Sequence, residues 1–135
     1  MFFSEPIHVS TKSRVEIVDI TDNASVIVKK SKVLNGIVLI SVPHTTAAVL
    51  VNESEPGLIS DMTREVQNII DWQAPYEHNK IDDNAPSHIT GAFLGPSIAL
   101  PVIDGKLSLG TWQSVFFVEL DGPRSRRAVV SIVGD

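Results

Sequence analysis

Four histidines stand at positions 8, 44, 78 and 88, and the last closes the stretch DDNAPSH (82–88), where two carboxylates, an amide and a proline precede the apolar run ITGAFLG. Imidazole both ligates metals and moves protons near neutral pH, so these positions are the first place to look for chemistry. His44 follows the apolar run GIVLISVP, His78 lies in the polar segment QAPYEHNKIDD, and His88 falls in the first turns of an expected helix. A helix N-terminus disfavours imidazolium and favours the neutral ring that binds a metal. Three neutral imidazoles with a water or a carboxylate would suit a zinc-like divalent ion. The spacing is neither HxH nor HExxH, and three separate histidines with no shared metal are the plainer reading of spacing alone.

Other polar residues have two readings each. Asn52 and Glu53 end a strand that begins at Thr45; they either face the same opening as His44 or simply turn the chain toward Pro56. Asp82 and Asp83 either orient imidazoles or cap the helix that follows. Trp112 and Gln113 in GTWQ could meet a heteroaromatic ligand, or the indole could belong to the core. Arg124, Arg126 and Arg127 in GPRSRR could grip phosphate, or form a solvated turn.

These residues must be positioned by a single domain of 135 residues, 43% hydrophobic and 20% charged, which is a globular composition. A net charge of −5 argues against nucleic-acid and membrane-surface binding, because both partners reward a basic face. An acidic chain with one basic spot suits a small anionic molecule better. Without cysteine there is no disulfide and no thiolate metal site. MFFSEPIHVSTK lacks a basic leader with a long apolar core, and no apolar run reaches spanning length; a cytoplasmic protein is expected.

The elements follow from pattern. IHVSTKSRVEIVDI predicts two strands broken near Lys12 and Ser13, and TDNASVIVKKSKV a short helix capped by Thr21 or Asp22 and ended at Asn35–Gly36. GIVLISVP predicts a central strand, TTAAVLVNE the next, and EPGLISDMTREVQNIIDWQ a helix with Leu58, Met62, Val66 and Ile69 on one stripe. A second mid-chain helix follows, capped by Asp83 or Asn84. Beyond Gly95 a β-meander is expected, with a hairpin turn at Asp104–Gly105. The class is α+β, a largely antiparallel sheet or sandwich with two main helices inserted mid-chain.

HTTAAVLVNESEP, YEHN, the long run from DDNAPSH to DGPRSRR and the terminal VVSIVGD together resemble the YjbQ-like family, also called the secondary thiamine-phosphate synthase family. The similarity runs from about His44 to the C-terminus, with a looser match upstream. The resemblance implies a compact α+β domain, a homotrimer, and a polar pocket at or near the subunit boundary. It also implies that His44, His78 and His88 are ligands of a divalent metal. The implied activity is a weak thiamine-phosphate synthase, joining a pyrimidine pyrophosphate to a thiazole phosphate. Some members carry a cysteine in the strand corresponding to FFVEL; this chain does not.

The resulting expectation is a metal-dependent enzyme, transferase or hydrolase, acting on a phosphorylated or anionic metabolite. Glu53 and Asp83 are its proton-transfer candidates, and Thr45, Asn52, Trp112, Gln113, Arg124, Arg126 and Arg127 its substrate-binding candidates. The alternative is a noncatalytic trimeric module that holds a metal or an anion.

Overall fold

A computed structural model describes all 135 residues. Eight strands form, β1 (Phe2–Ser10), β2 (Glu16–Asp19), β3 (Gly36–Ser41), β4 (Ala47–Asn52), β5 (Ser97–Ile103), β6 (Lys106–Leu107), β7 (Ser114–Glu119) and β8 (Ser125–Gly134). Three helices join them, α1 (Thr21–Ser31), α2 (Pro56–Glu65) and α3 (Ala85–Leu94), with a 3-10 turn at Glu77–Lys80. All strand pairs are antiparallel, and they divide into a five-stranded sheet ordered β1-β8-β3-β5-β6 and a three-stranded sheet ordered β2-β7-β4. The expected α+β class is what forms.

Period-two alternation sends Ile7, Val9, Val38, Ile40, Val102, Ala128, Val130 and Ile132 of the large sheet inward, against Ala24, Ile27 and Val28 of α1 and Ala47, Val49, Val115 and Phe117 of the small sheet. The small sheet's other face, with Ala48, Phe116 and Val118, packs against Ile59 and Met62 of α2, Val66 just beyond it, and Leu94 of α3. Strand β7 is therefore covered on both sides. Adjacent Phe116 and Phe117 point to opposite faces and are both fully buried, each stabilising the fold by about 1.5–3 kcal/mol.

Strand β3 is the middle strand of its sheet, as its sequence predicts, but only one of its faces is covered. Val38 and Ile40 are fully buried, whereas Ile37 is 54% and Leu39 41% exposed. At the end of this ladder Gly36 crosses Gly134, and a Cβ on Gly36 would stand 2.1 Å from the Val133 carbonyl oxygen. Gly36 is thus needed for close approach at a strand start and does not end α1. The left-handed residue that ends α1 is Lys32, with φ of 61°.

Two of the three helix starts are held by side chains other than those expected. At α1 neither Thr21 nor Asp22 caps; Asp19 Oδ1 accepts from the Thr21 N–H and hydroxyl at 2.9 and 2.6 Å. At α2 the Glu55 carboxylate accepts from the Leu58 N–H at 2.9 Å. At α3 neither Asp83 nor Asn84 caps; Asn79 Oδ1 takes the Ala85 N–H at 3.0 Å. Helix α2 is also shorter than its pattern, so Ile69 lies beyond it and is 51% exposed.

Residues 97–134 do not form one meander. The Asp104–Gly105 hairpin forms with positive φ at both residues (50° and 76°), but β7 leaves for the small sheet and β8 returns between β1 and β3.

Candidate functional site

The tripeptide Glu119–Leu120–Asp121 leaves the end of β7 and organises one end of the sandwich. Glu119 is fully buried and Arg126, seven residues on, is 7% exposed. The Arg126 Nε donates to Glu119 Oε1 at 2.9 Å, and its Nη2 donates to Glu119 Oε2 and to the Thr46 hydroxyl. Thr11 Oγ1 donates to the same carboxylate at 2.7 Å, and the N–H groups of Leu120 and Asp121 add two bonds. Burial alone would push the Glu119 carboxyl up; the bonds from Arg126, Thr11 and Asp121 and the Arg126 charge outweigh it and hold the group below the usual carboxylate range. Arg126, expected to bind substrate, is committed to this buried pair.

Arg124 is also engaged. Its Nε donates to the Asp121 carbonyl at 2.7 Å and its Nη2 to Asp121 Oδ2 at 3.0 Å. Arg127, pointing to the opposite face from Arg126, has no side-chain hydrogen bond or ion pair and is exposed. Of the three clustered arginines, Arg127 alone has an uncommitted guanidinium.

His44 sits where β3 has left the large sheet. The β3–β8 ladder ends at Ser41 opposite Val129, and two residues along β8 the Arg127 N–H donates to His44 Nε2 at 3.1 Å. An imidazole nitrogen that accepts this bond carries no proton, so the neutral ring holds its proton on Nδ1. Burial of the ring, then the charge of Arg126, holds the His44 pKa below the usual histidine value. Thr45, the next residue, is exposed. With Nε2 engaged and Nδ1 protonated, His44 in this arrangement offers a hydrogen-bond donor and no free lone pair.

His78 and His88 lie together, with ring centres 4.8 Å apart and planes inclined at 74°. His78 is held by Asn84 Oδ1, 3.0 Å from its Nε2. Asp82 and Asp83 flank the pair on exposed positions. The Asp83 N–H donates to Asp82 Oδ1 at 2.8 Å and holds that carboxyl below its ordinary range, with the two imidazoles acting in the same sense. Asp83 lines a polar cleft of about 500 Å³ with Arg14, Trp72, Asn79 and Asp82.

Asn52, Glu53, Trp112 and Gln113 come together elsewhere, around a shallow pocket of about 240 Å³ completed by Val51. Trp112 is 73% exposed, so it is not the core residue its type allowed. This pocket lies at the Asn52–Ser114 end of the β4–β7 pair, whereas Arg126 and Glu119 lie at the Ala47–Glu119 end. Five residue steps of strand separate them, roughly 17 Å at about 3.4 Å per residue.

The fit to a divalent metal is partial. Two imidazoles on one tetrahedral ion, each nitrogen about 2.0–2.1 Å from it, place their ring centres roughly 5 Å apart, which the His78–His88 pair matches. No set of three or more histidine, aspartate or glutamate side chains is placed to hold an ion, so the expected trio with His44 is not assembled within one chain. Sequence reasoning passed over Glu119, Asp121 and Thr46, since a carboxylate in the apolar run FFVEL and a hydroxyl in HTT give no sign of their partners until the strands are paired.

Residues 5–135 match the family model described as UPF0047 protein YjbQ-like. The chain belongs to the YjbQ-like UPF0047 family. A UPF0047 protein of Methanothermobacter thermautotrophicus is 43% identical over 132 residues, covering 98% of this chain and 92% of that one. The UPF0047 protein YugU of Bacillus subtilis is 32% identical, covering 95% and 97%. A crystal structure of a YbjQ-like protein from Sulfolobus solfataricus superposes with a TM-score of 0.97 at 46% identity, covering 100% of this chain and 99% of that one. In this UPF0047 chain no helix is long and apolar enough to cross a membrane.

Proposed function

We propose that this YjbQ-like chain is a small enzyme acting on a phosphorylated or otherwise anionic metabolite. The observation that carries the reading is His44 beside Arg127: a neutral imidazole with an Nδ1–H to donate and an uncommitted guanidinium whose charge is felt at that ring. A donor and a fixed cation together suit phosphate oxygens. His78 and His88 would hold a divalent ion, which would neutralise charge on the substrate. The remaining ligands would come from substrate, water or a second copy of the chain.

A homotrimer belongs to the same reading. Phe2, Val133, Ile37 and Pro101 form one continuous row across the outer face of the large sheet, and Leu39 lies in the next row. Phe2 is 69%, Val133 55% and Ile37 54% exposed, an apolar surface that self-association would cover. Assembly would also give the Asn52–Glu53–Trp112–Gln113 pocket a way to meet the histidines of another copy. A cytoplasmic location and the absence of nucleic-acid partners accord with the acidic charge of −5.

The named reaction to test is thiamine-phosphate formation, in which the thiazole phosphate displaces pyrophosphate from a pyrimidine pyrophosphate, and the released pyrophosphate is the readout. Turnover that is lost in Arg127→Gln, together with stoichiometric metal in untagged protein that is lost in His88→Ala, supports the reading. Metal-free protein after reconstitution, or turnover indifferent to Arg127, overturns the corresponding part.

A second reading, a noncatalytic binding module, is favoured by one observation: Glu53 stands at the far end of β4 from the histidines. Unchanged ligand binding and unchanged turnover in Glu53→Gln would remove that carboxylate from any mechanism.

A further inference from the structure

Asn84 and Asp121 are both nearly buried, at 6% and 8% exposure, and both lie within the hydrogen-bonded surroundings of His78. Asn84 occupies the N-cap position of α3, where its side chain would ordinarily take a backbone N–H. It does not do so: Pro86 has no N–H to give, the Ser87 N–H bonds the Asn84 carbonyl, and Asn79 Oδ1 takes the Ala85 N–H. The Asn84 amide instead bridges two side chains.

Its orientation is determined by chemistry. An ionised carboxylate only accepts, so the Asn84 atom 2.8 Å from Asp121 Oδ2 is the Nδ2 donor. The opposite atom, Oδ1, then faces His78 Nε2 at 3.0 Å, and a carbonyl oxygen can only accept. His78 must therefore carry its proton on Nε2, leaving the Nδ1 lone pair free. Arg124 Nη2 donates to the same Asp121 oxygen at 3.0 Å, and Arg14 Nη2 lies 3.8 Å from the other, so the carboxylate is itself held in place.

We propose that Asp121 and Asn84 are positioning residues that act as a relay, fixing His78 in its Nε2–H tautomer with Nδ1 available to a cation or a proton beside His88. A bound carboxylate, carbonyl or amide oxygen on one ring nitrogen is the arrangement that orients imidazole ligands and sets their tautomer. Here an amide stands between ring and carboxylate, so the ring is oriented without a full negative charge against it. His44 has the opposite sense, since a backbone N–H occupies its Nε2. The two histidines thus differ in kind: His78 offers a lone pair and His44 offers a proton.

The consequence for metal affinity rests on the metal reading given above, but the tautomer does not. Long-range 1H–15N correlation spectra of the full-length protein at about pH 9, where an ordinary imidazole is neutral, report the tautomer. The expected wild-type result is a pyrrole-like Nε2 and a pyridine-like Nδ1 at His78, with a Nε2–H protected from solvent exchange. Asn84→Leu should lose that protection and mix the tautomers, and Asp121→Ala should weaken it, while the backbone amide spectrum away from the site is retained. A protonated Nδ1 in the wild type, or an unprotected Nε2–H there, overturns the relay without any variant being needed. Zinc alone is the second probe. Asn84→Leu, with both histidines intact, should bind it about 10–100-fold more weakly; equal affinity would overturn the positioning role. Wild-type protein with the protected Nε2–H but no zinc affinity would sink the metal reading and leave the relay standing.

Discussion

The Arg127 backbone N–H donates to His44 Nε2 at 3.1 Å, in the place where β3, had it continued, would have supplied a carbonyl. One side chain thus finishes a β ladder and faces the candidate site at the same time.

This bond and the lowered His44 pKa give a pH prediction. A proton added at Nε2 would displace the Arg127 N–H, and burial and the Arg126 charge already oppose it. The unfolded chain takes up that proton near the ordinary histidine value of about 6.5, before the folded chain does. Stability should therefore fall as pH drops from about 6.5 toward the lower folded value, and level off below it. Histidine titration by NMR should show His44 with a midpoint below the usual one, and His44→Phe should abolish its share of the stability change. A midpoint at or above the ordinary value would mean that burial and the Arg126 charge do not hold the ring neutral as the geometry implies.

Glu119 titrates in a more acidic window. Its folded pKa is lowered, so its contribution is present above the unfolded value of about 4.3 and is lost as pH falls through the folded value. Arg126→Met leaves a buried carboxylate with its ion-pair partner gone, at a cost of about 3–5 kcal/mol. Urea denaturation should read that loss, and the double variant Glu119→Gln with Arg126→Met should recover part of it. A loss below about 1 kcal/mol, the level of an exposed pair, would mean that the pair is far wetter than its geometry implies.

Gly122 passes close to the β1–β2 connection. A Cβ there would stand 2.3 Å from the Ser13 carbonyl oxygen and 2.8 Å from Glu119 Cγ. Gly122→Ala should destabilise by about 1–3 kcal/mol, the usual cost of overpacking. It should also disturb Asp121 and Arg124 on either side. Thermal melting reads the first effect and the His78 Nε2–H signal the second.

The outer sheet face offers the test of assembly. Ile37→Lys and Leu39→Lys change exposed strand positions, so the monomer fold should survive each. Sedimentation velocity should show trimers for the wild type and smaller species for the double variant. A monomeric wild type at micromolar concentration would remove the homotrimer from the proposal.

The fold was largely legible because it rests on local pattern. A β-branched, partly alternating run marks β1, a continuous apolar run marks β3, and Asp104–Gly105 marks a hairpin whose two positive φ angles need those residue types. Helix ends were misread because the groups that satisfy them come from outside the expected cap: Asp19 for α1 and Asn79 for α3. The site was legible in part. Sequence grouped Arg124, Arg126 and Arg127 by adjacency, but a strand sends neighbours to opposite faces, which buries Arg126 and exposes Arg127. Partners such as Asn84 and Asp121 are 37 residues apart and meet where the Leu120 carbonyl accepts the Ser87 hydroxyl, with the start of α3 docked on the end of β7. No spacing rule carries that information.

The crossing of Gly36 and Gly134 matters for strand alignment. Along β3 both faces carry valine, isoleucine or leucine, so on that strand a one-residue slip would exchange one apolar set for another at little hydrophobic cost. Sterics discriminate where hydrophobicity does not. A one-residue slip would bring Val133 or Asp135 opposite Gly36, at a crossing where even a methyl on Gly134 would lie 2.3 Å from the Asn35 carbonyl oxygen. Two residues with no side chain therefore act as a registration mark for the central ladder, whose alignment sends Arg126 inward and Arg127 outward.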